Sequence, residues 1–265
     1  MVRIIRQAFS YFNYLLTAKT KYGIHSPFVY SLVTEVFENR DVSAEDSRIQ
    51  ELRRRLVHSK RLLEVTDFGS GRGNKTYALH LKTVGEIAAE SSVDPQRGGL
   101  LHRLVKWFQP SNILELGTSL GISTLYLSTG MPSAKVITVE GCSTTSEVAR
   151  ENFAEFSLKN IEMLTGRFED VLPAVLKQTE TVDFAFIDGH HEYKPTKKYV
   201  EMILQKASDN SVIVIDDIHW SAGMELAWKE ICDLSQVKVS IDTYRFGMLF
   251  FREGLSKQHF VIRFR

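Results

Sequence analysis

Two cysteines in 265 residues, Cys142 and Cys232, are too few for a disulfide scaffold. They fit a reducing compartment, and the expectation from sequence is a cytoplasmic protein. Excess charge is missing too: 33 Lys and Arg against 32 Asp and Glu leave a net of +1. No basic field therefore marks nucleic acid as a partner. No apolar run approaches the ~20 residues a membrane-spanning helix needs. Residues 1–21 mix Arg3, Arg6, Lys19 and Lys21 with Ile4, Ile5, Phe9, Tyr11, Phe12, Tyr14 and Leu15. That stretch lacks the clean apolar core and the small-residue cleavage site of a signal peptide. It reads as a helix packed on its own domain, with a membrane-surface helix as the alternative. Repeats and low-complexity linkers are absent as well. What is left is an ordinary globule, 43% hydrophobic and 25% charged, with a small molecule as the expected partner and a homodimer as the default assembly.

The organisation changes near residue 95. Before it, residues 2–19, 27–39 and 44–58 read as helices, the second with Ser26 as N-cap and Pro27 at its first position. After it, strand candidates at 112–116, 135–140, 160–164, 182–187, 211–216, 237–244 and 247–252 alternate with helices at 121–129, 144–156, 168–177, 196–206 and 223–235. Such alternation predicts an α/β fold with a mostly parallel sheet covered on both faces. The last two strands have no helix between them and predict an antiparallel hairpin. The expected division is a helical appendage or lid at 1–95 and a Rossmann-like, seven-stranded domain at 96–265.

The most specific stretch is Ile113-Leu-Glu-Leu-Gly-Thr-Ser-Leu-Gly-Ile-Ser-Thr124, followed by Val136-Ile-Thr-Val-Glu140. It reads as a buried strand, a tight glycine turn opening a helix, and a second strand ending in a carboxylate. Gly117 and Gly121 let the backbone approach a ligand, and N–H groups at the helix start face it. Glu140 stands where a carboxylate can accept from two ribose hydroxyls. The spacing is Glu-x-Gly-x-x-x-Gly, not the Gly-x-Gly-x-x-Gly of pyrophosphate sites. It points to S-adenosylmethionine (SAM), which carries ribose and adenine without phosphate. A plain strand-to-helix turn is the alternative. A second glycine-rich run, Asp67-Phe-Gly-Ser-Gly-Arg-Gly73, has no terminal acid on a following strand, because residues 76–90 read as loop and helix. It is expected to be a loop of the appendage.

Two strand ends carry further chemistry: Phe186-Ile-Asp-Gly-His-His-Glu-Tyr193 and Ile213-Val-Ile-Asp-Asp-Ile-His-Trp220. Asp188, Asp216 and Asp217 are expected to converge, and three carboxylates together call for a cation, Mg²⁺ first. A metal-free SAM site, a zinc site on the histidines, and simple strand-end caps stay open beside it. Trp220 is open between stacking on an acceptor and packing on Trp228, and Tyr193 and the Tyr22–Tyr30 aromatics share that ambiguity.

On these motifs the chain resembles the class I SAM-dependent methyltransferases, and within them the small-molecule O-methyltransferases related to catechol O-methyltransferase. The resemblance covers residues from around Glu90 to Arg252. It implies a SAM pocket formed by the strand–turn–helix around Glu115, Gly117, Thr118, Ser119, Gly121 and Ser123, with Ser123 near the methionine carboxylate. Glu140 and Gly141 would take the ribose, Phe168 and Glu169 the adenine, and Asp188 would border both cofactor and metal. It further implies Mg²⁺ on Asp188, Asp216 and Asp217, where the family commonly has Asn in place of Asp217. His191 falls at the base position, where a Lys is frequent. A nucleotide-dependent oxidoreductase and a non-catalytic SAM-binding protein are the competing readings.

Overall fold

The computed structural model describes residues 2–67 and 78–264. Two compact units share the chain, Met1–Asn39 with Thr179–Arg265, and Arg40–Gln178. The glycine-rich run after Asp67 lies outside the described residues.

The chain starts in the first unit with α1 (Val2–Thr17), a 3₁₀ turn at Lys21–Gly23, and α2 (Pro27–Leu32), which widens into a π turn at Val33–Phe37. Ser26 caps α2 as its side chain accepts from Val29 N, with Pro27 in the first turn. One face of α1 is tied down, with the buried Tyr14 hydroxyl donating to Ile262 O at 2.7 Å. Its opposite face leaves Ile5, Phe9, Phe12 and Leu16 exposed.

The Arg40–Gln178 unit opens with α3 (Ala44–Val57), held by a reciprocal Ser43–Asp46 capping box. Next come β1 (Leu62–Asp67) and β2 (Ala78–Thr83), an antiparallel hairpin. The sequence reading takes residues 76–90 as loop and helix, and β2 corrects it. The strand was missed because Leu79 and Leu81 both stay exposed, so no buried face marks it. Helices α4 (Val84–Ser91) and α5 (Pro95–Phe108) follow, α5 capped by Asp94 with Pro95 behind it. Then β3 (Asn112–Leu116), α6 (Ile122–Gly130), β4 (Lys135–Glu140), α7 (Ser143–Glu155), β5 (Ile161–Thr165) and α8 (Phe168–Gln178) alternate. β3 pairs in parallel with β4, and β4 with β5. Ile113, Leu114, Leu116, Val136 and Val139 sink their side chains into the core, which fixes the strand ends where Gly117 and Glu140 begin.

The first unit resumes with β6 (Phe184–Ile187), α9 (Tyr193–Leu204), β7 (Val212–Ile215), α10 (Ala222–Asp233), β8 (Val239–Asp242), β9 (Gly247–Phe250) and β10 (Gln258–Val261). Every residue of β6, β7, β8 and β9 is buried, as strands covered on both faces must be. β6 and β7 run parallel, and β9 is antiparallel to β7 and β8, which confirms the expected hairpin. β10 pairs in parallel with β8 and is a strand the sequence reading leaves out. Among the described residues no helix is long and apolar enough to cross a membrane.

Candidate active site

The turn after β3 is built by backbone conformations that demand its sequence. Gly117 (φ 105°) and Gly121 (φ 83°) lie in the left-handed region, and Ser119 between them has φ 49°. Gly121 is doubly constrained, since a Cβ there would sit 2.5 Å from Cε1 of Phe153. Gly117 N–H donates to Val139 O at 2.9 Å, and Gly121 N–H to Thr118 O at 2.8 Å. The turn is thereby stitched to the end of β4.

Glu140 closes it. Its Oε2 accepts from Ser119 N at 2.7 Å and its Oε1 from Cys142 N at 2.9 Å. Burial raises its carboxyl above the usual range, and the backbone N–H groups of Cys142, Ser119 and Gly141 work in the opposite direction. Gly166 N–H donates to the Glu140 carbonyl at 2.8 Å, so the 166–169 segment starts beside this carboxylate. There Phe168 is buried and Glu169 pairs with Arg167 Nε at 3.6 Å.

Glu115 and Thr118 stand inside the fold. The fully buried Glu115 accepts through Oε2 from Thr138 Oγ1 at 2.6 Å and from Thr124 Oγ1, and Ser123 also bonds to it. Burial drives its carboxyl up, against those hydroxyl bonds. The Thr118 hydroxyl is shared with that of Thr138 at 2.5 Å. The two side chains brace the turn from behind.

In the other unit, Asp188 follows β6 and its Oδ1 lies 3.4 Å from Nε2 of His191. The loop bends sharply, with His190 at φ 64° and His191 at φ 31°. That turn separates the two histidines. His190 Nδ1 meets the Tyr199 hydroxyl at 2.7 Å and its ring stacks on Tyr199, whereas the His191 ring faces Trp220 at 6.4 Å. Trp228 packs against Gly247 and His259. The Tyr193 hydroxyl donates to Glu230 at 2.7 Å on α10, and Tyr22 is exposed.

Past β7, Asp216 N–H donates to Ile187 O at 2.9 Å, and Asp216 Oδ1 accepts from Asp217 N at 2.7 Å. Asp217 takes a left-handed backbone (φ 53°), and its Oδ1 is 2.7 Å from Nη1 of Arg245. Among the described residues no three His, Cys, Asp or Glu side chains are grouped to hold a metal ion. The Mg²⁺ set expected at Asp188, Asp216 and Asp217 does not fit this arrangement, in which Asp217 already carries a guanidinium.

Two features here escape sequence reading. A cavity of about 250 Å³ is lined by Gln7, Asp217, His219, Trp220, Tyr244 and Arg245. Its wall is held by His219, which meets Asp242 Oδ2 at 2.8 Å and Glu225 Oε1 at 3.2 Å and stacks on Tyr244. The signal that finds Arg245 is register: β7 and β9 set Ile215 opposite Gly247, and two residues further on Asp217 faces Arg245.

A family model described as a methyltransferase domain matches residues 114–218, which span the glycine turn, Glu140, Asp188 and Asp217. Over these residues the chain is similar to methyltransferase domains, and over about half of its length it is similar to catechol O-methyltransferases. It is 31% identical over 130 residues to a catechol O-methyltransferase of Niastella koreensis, covering 48% of this chain and 58% of that one. To a catechol O-methyltransferase of Mycobacterium tuberculosis it is 30% identical over 135 residues, covering 50% and 60%. The chain thus spans less than two thirds of these relatives. Its fold matches a methyltransferase of Podospora anserina bound to S-adenosylhomocysteine (TM-score 0.60, 13% identity, 87% and 97% of the two chains). It also matches an O-methyltransferase of Bacillus cereus in complex with the same compound (TM-score 0.56, 20% identity, 84% and 96%). These similarities support a methyltransferase over the oxidoreductase reading.

Proposed function

We propose that this chain transfers the methyl group of SAM to a hydroxyl oxygen of a small molecule. The observation that carries the reading is the Ser119–Glu140 bond, which brings a glycine turn and a strand-end carboxylate together at 2.7 Å. The Gly121 backbone leaves no space for a side chain because the Phe153 ring packs against it, which holds the turn in this tight shape. Glu140 would accept from the ribose hydroxyls, with Gly117, Ser119 and Gly141 offering backbone around it and Phe168 and Glu169 reaching the base. Ser123 would serve the amino-acid end. Bound SAM supplies an electrophilic methyl on sulfonium sulfur.

The acceptor's proton needs a base, and His191 is suited to take it at Nε2. Asp188 at 3.4 Å orients the imidazole and steadies the positive charge it gains. Trp220 gives a flat apolar wall beside it. A cavity of about 250 Å³ is below the ~300 Å³ at which drug-sized pockets begin, which suits a compact acceptor. The near-neutral chain charge supports a small molecule over nucleic acid. Among the described residues no three acidic or histidine side chains gather around one point to hold a divalent ion.

The test is turnover with SAM labelled in its methyl group and a panel of phenols and sugars. Label transferred to an acceptor oxygen supports the reading. Label transferred only to nitrogen or sulfur, or release of no product while SAM binds, contradicts it.

A further inference from the structure

Strand pairing places Asp217 and Arg245 face to face. Continuing the β7–β9 register past Ile215 and Gly247 makes the two residues opposite neighbours, and Ile218 N–H donates to Arg245 O at 3.4 Å. The side chains then close to 2.7 Å between Nη1 and Oδ1, with the Asp217 side chain only 15% exposed. Asp217 reaches this position through a left-handed backbone, and its N–H caps Asp216 Oδ1. At the end of β7, therefore, an Asp216 oxygen accepts from Asp217 N–H and an Asp217 oxygen lies in an ion pair against the Arg245 guanidinium.

From this we infer that Arg245 is the resident cation of the acceptor cavity, standing where the family resemblance calls for a divalent ion. Hard divalent ions need several oxygens gathered around one point. Here one of those oxygens is held by a guanidinium, whose fixed charge repels a second cation at the same spot. A guanidinium carries five N–H donors, and the pair with Asp217 is made through Nη1. Both residues line the cavity with Trp220, so the remaining donors are available to an acceptor oxygen as it loses its proton. Asp217 in turn keeps the guanidinium oriented. Arg245 retains its charge at any working pH, so this stabilisation does not depend on metal supply.

The role in turnover rests on the methyl-transfer reading, but exclusion of the ion does not. The test separates them with Mn²⁺ as the probe, an ion of the same oxygen-ligand preference whose free form gives an EPR signal. Wild-type protein is expected to leave that signal undiminished at millimolar protein, whereas Arg245→Met gains Mn²⁺ affinity by about tenfold or more. Arg245→Lys, which keeps the positive charge, is expected to stay ion-free. Tight Mn²⁺ binding by the wild type that is lost in Asp217→Asn overturns the inference. So does an Arg245→Met variant, folded by circular dichroism, that binds no better than wild type. If that variant does not fold, the wild-type titration still decides. SAM titrated into the same samples reports on the cofactor reading alone. With an acceptor in hand, wild-type turnover is expected to be indifferent to a chelator, and loss of activity on chelation contradicts the inference.

Discussion

Ser119 and Glu140, twenty-one residues apart, are joined by a backbone N–H donating to a carboxylate oxygen at 2.7 Å. The bond lies between the turn after β3 and the end of β4, whose parallel pairing brings the two strand ends level. It fixes a carboxylate against a common glycine turn.

The turn's dependence on glycine is directly measurable. Gly121→Ala forces a side chain onto φ 83° and against the Phe153 ring at 2.5 Å. We expect a stability loss on the order of 2 kcal/mol, read as a lower urea midpoint, together with weaker SAM binding. An unchanged midpoint would mean that the turn accepts a Cβ, and the tight geometry would be wrong.

If His191 is the base in the proposed reaction, His191→Ala is expected to lower turnover by about a hundredfold or more while leaving SAM affinity as it was. Steady-state kinetics and calorimetry on one preparation separate the two effects. A fall in SAM affinity with turnover intact would make His191 a structural residue.

His219 gives a pH prediction. Burial opposes its charge, but the bonds to Asp242 and Glu225 prevail and raise its imidazole above the ordinary value. Arg6 and Ser10 on α1 also bond to Glu225, Arg6 reaches the His219 carbonyl, and Tyr244 stacks on the ring. A raised folded value means stabilisation that is fully present below the unfolded value, near ~6.5, and lost as pH rises through the folded one. The stability advantage of wild type over His219→Gln should therefore be greatest below about pH 6.5 and shrink as pH rises above it. Denaturant melts below and above that pH check it, and an advantage that grows with pH would reverse the sign.

Much of the fold is legible in the residues. β3 and β4 carry apolar runs ended by Gly117 and Glu140, and the structure starts and stops them at the expected positions. Ser26-Pro27 marks a helix start because capping is local chemistry. The β1–β2 hairpin and β10 escape because they bury too little to leave a pattern; β10 has one buried side chain, Phe260. At the site, Glu140 is readable since it ends a strand of a known unit. The Asp217–Arg245 and His219–Asp242 pairs are not, because each depends on which strands lie side by side. The expected carboxylate triad fails for the same reason: neighbouring strand ends bring residues near, but Arg245 arrives from a hairpin and occupies Asp217. Glu115 shows the opposite limit, as its place in the motif does not reveal that its carboxyl is turned inward to Thr124 and Thr138.

The most direct measurement is calorimetric titration of SAM into the wild-type chain and into Glu140→Ala. Micromolar binding by the wild type, weakened by about tenfold or more in the variant through lost ribose bonds, is the expected result. No binding by the wild type, or equal affinity in both, would contradict a SAM site at the glycine turn.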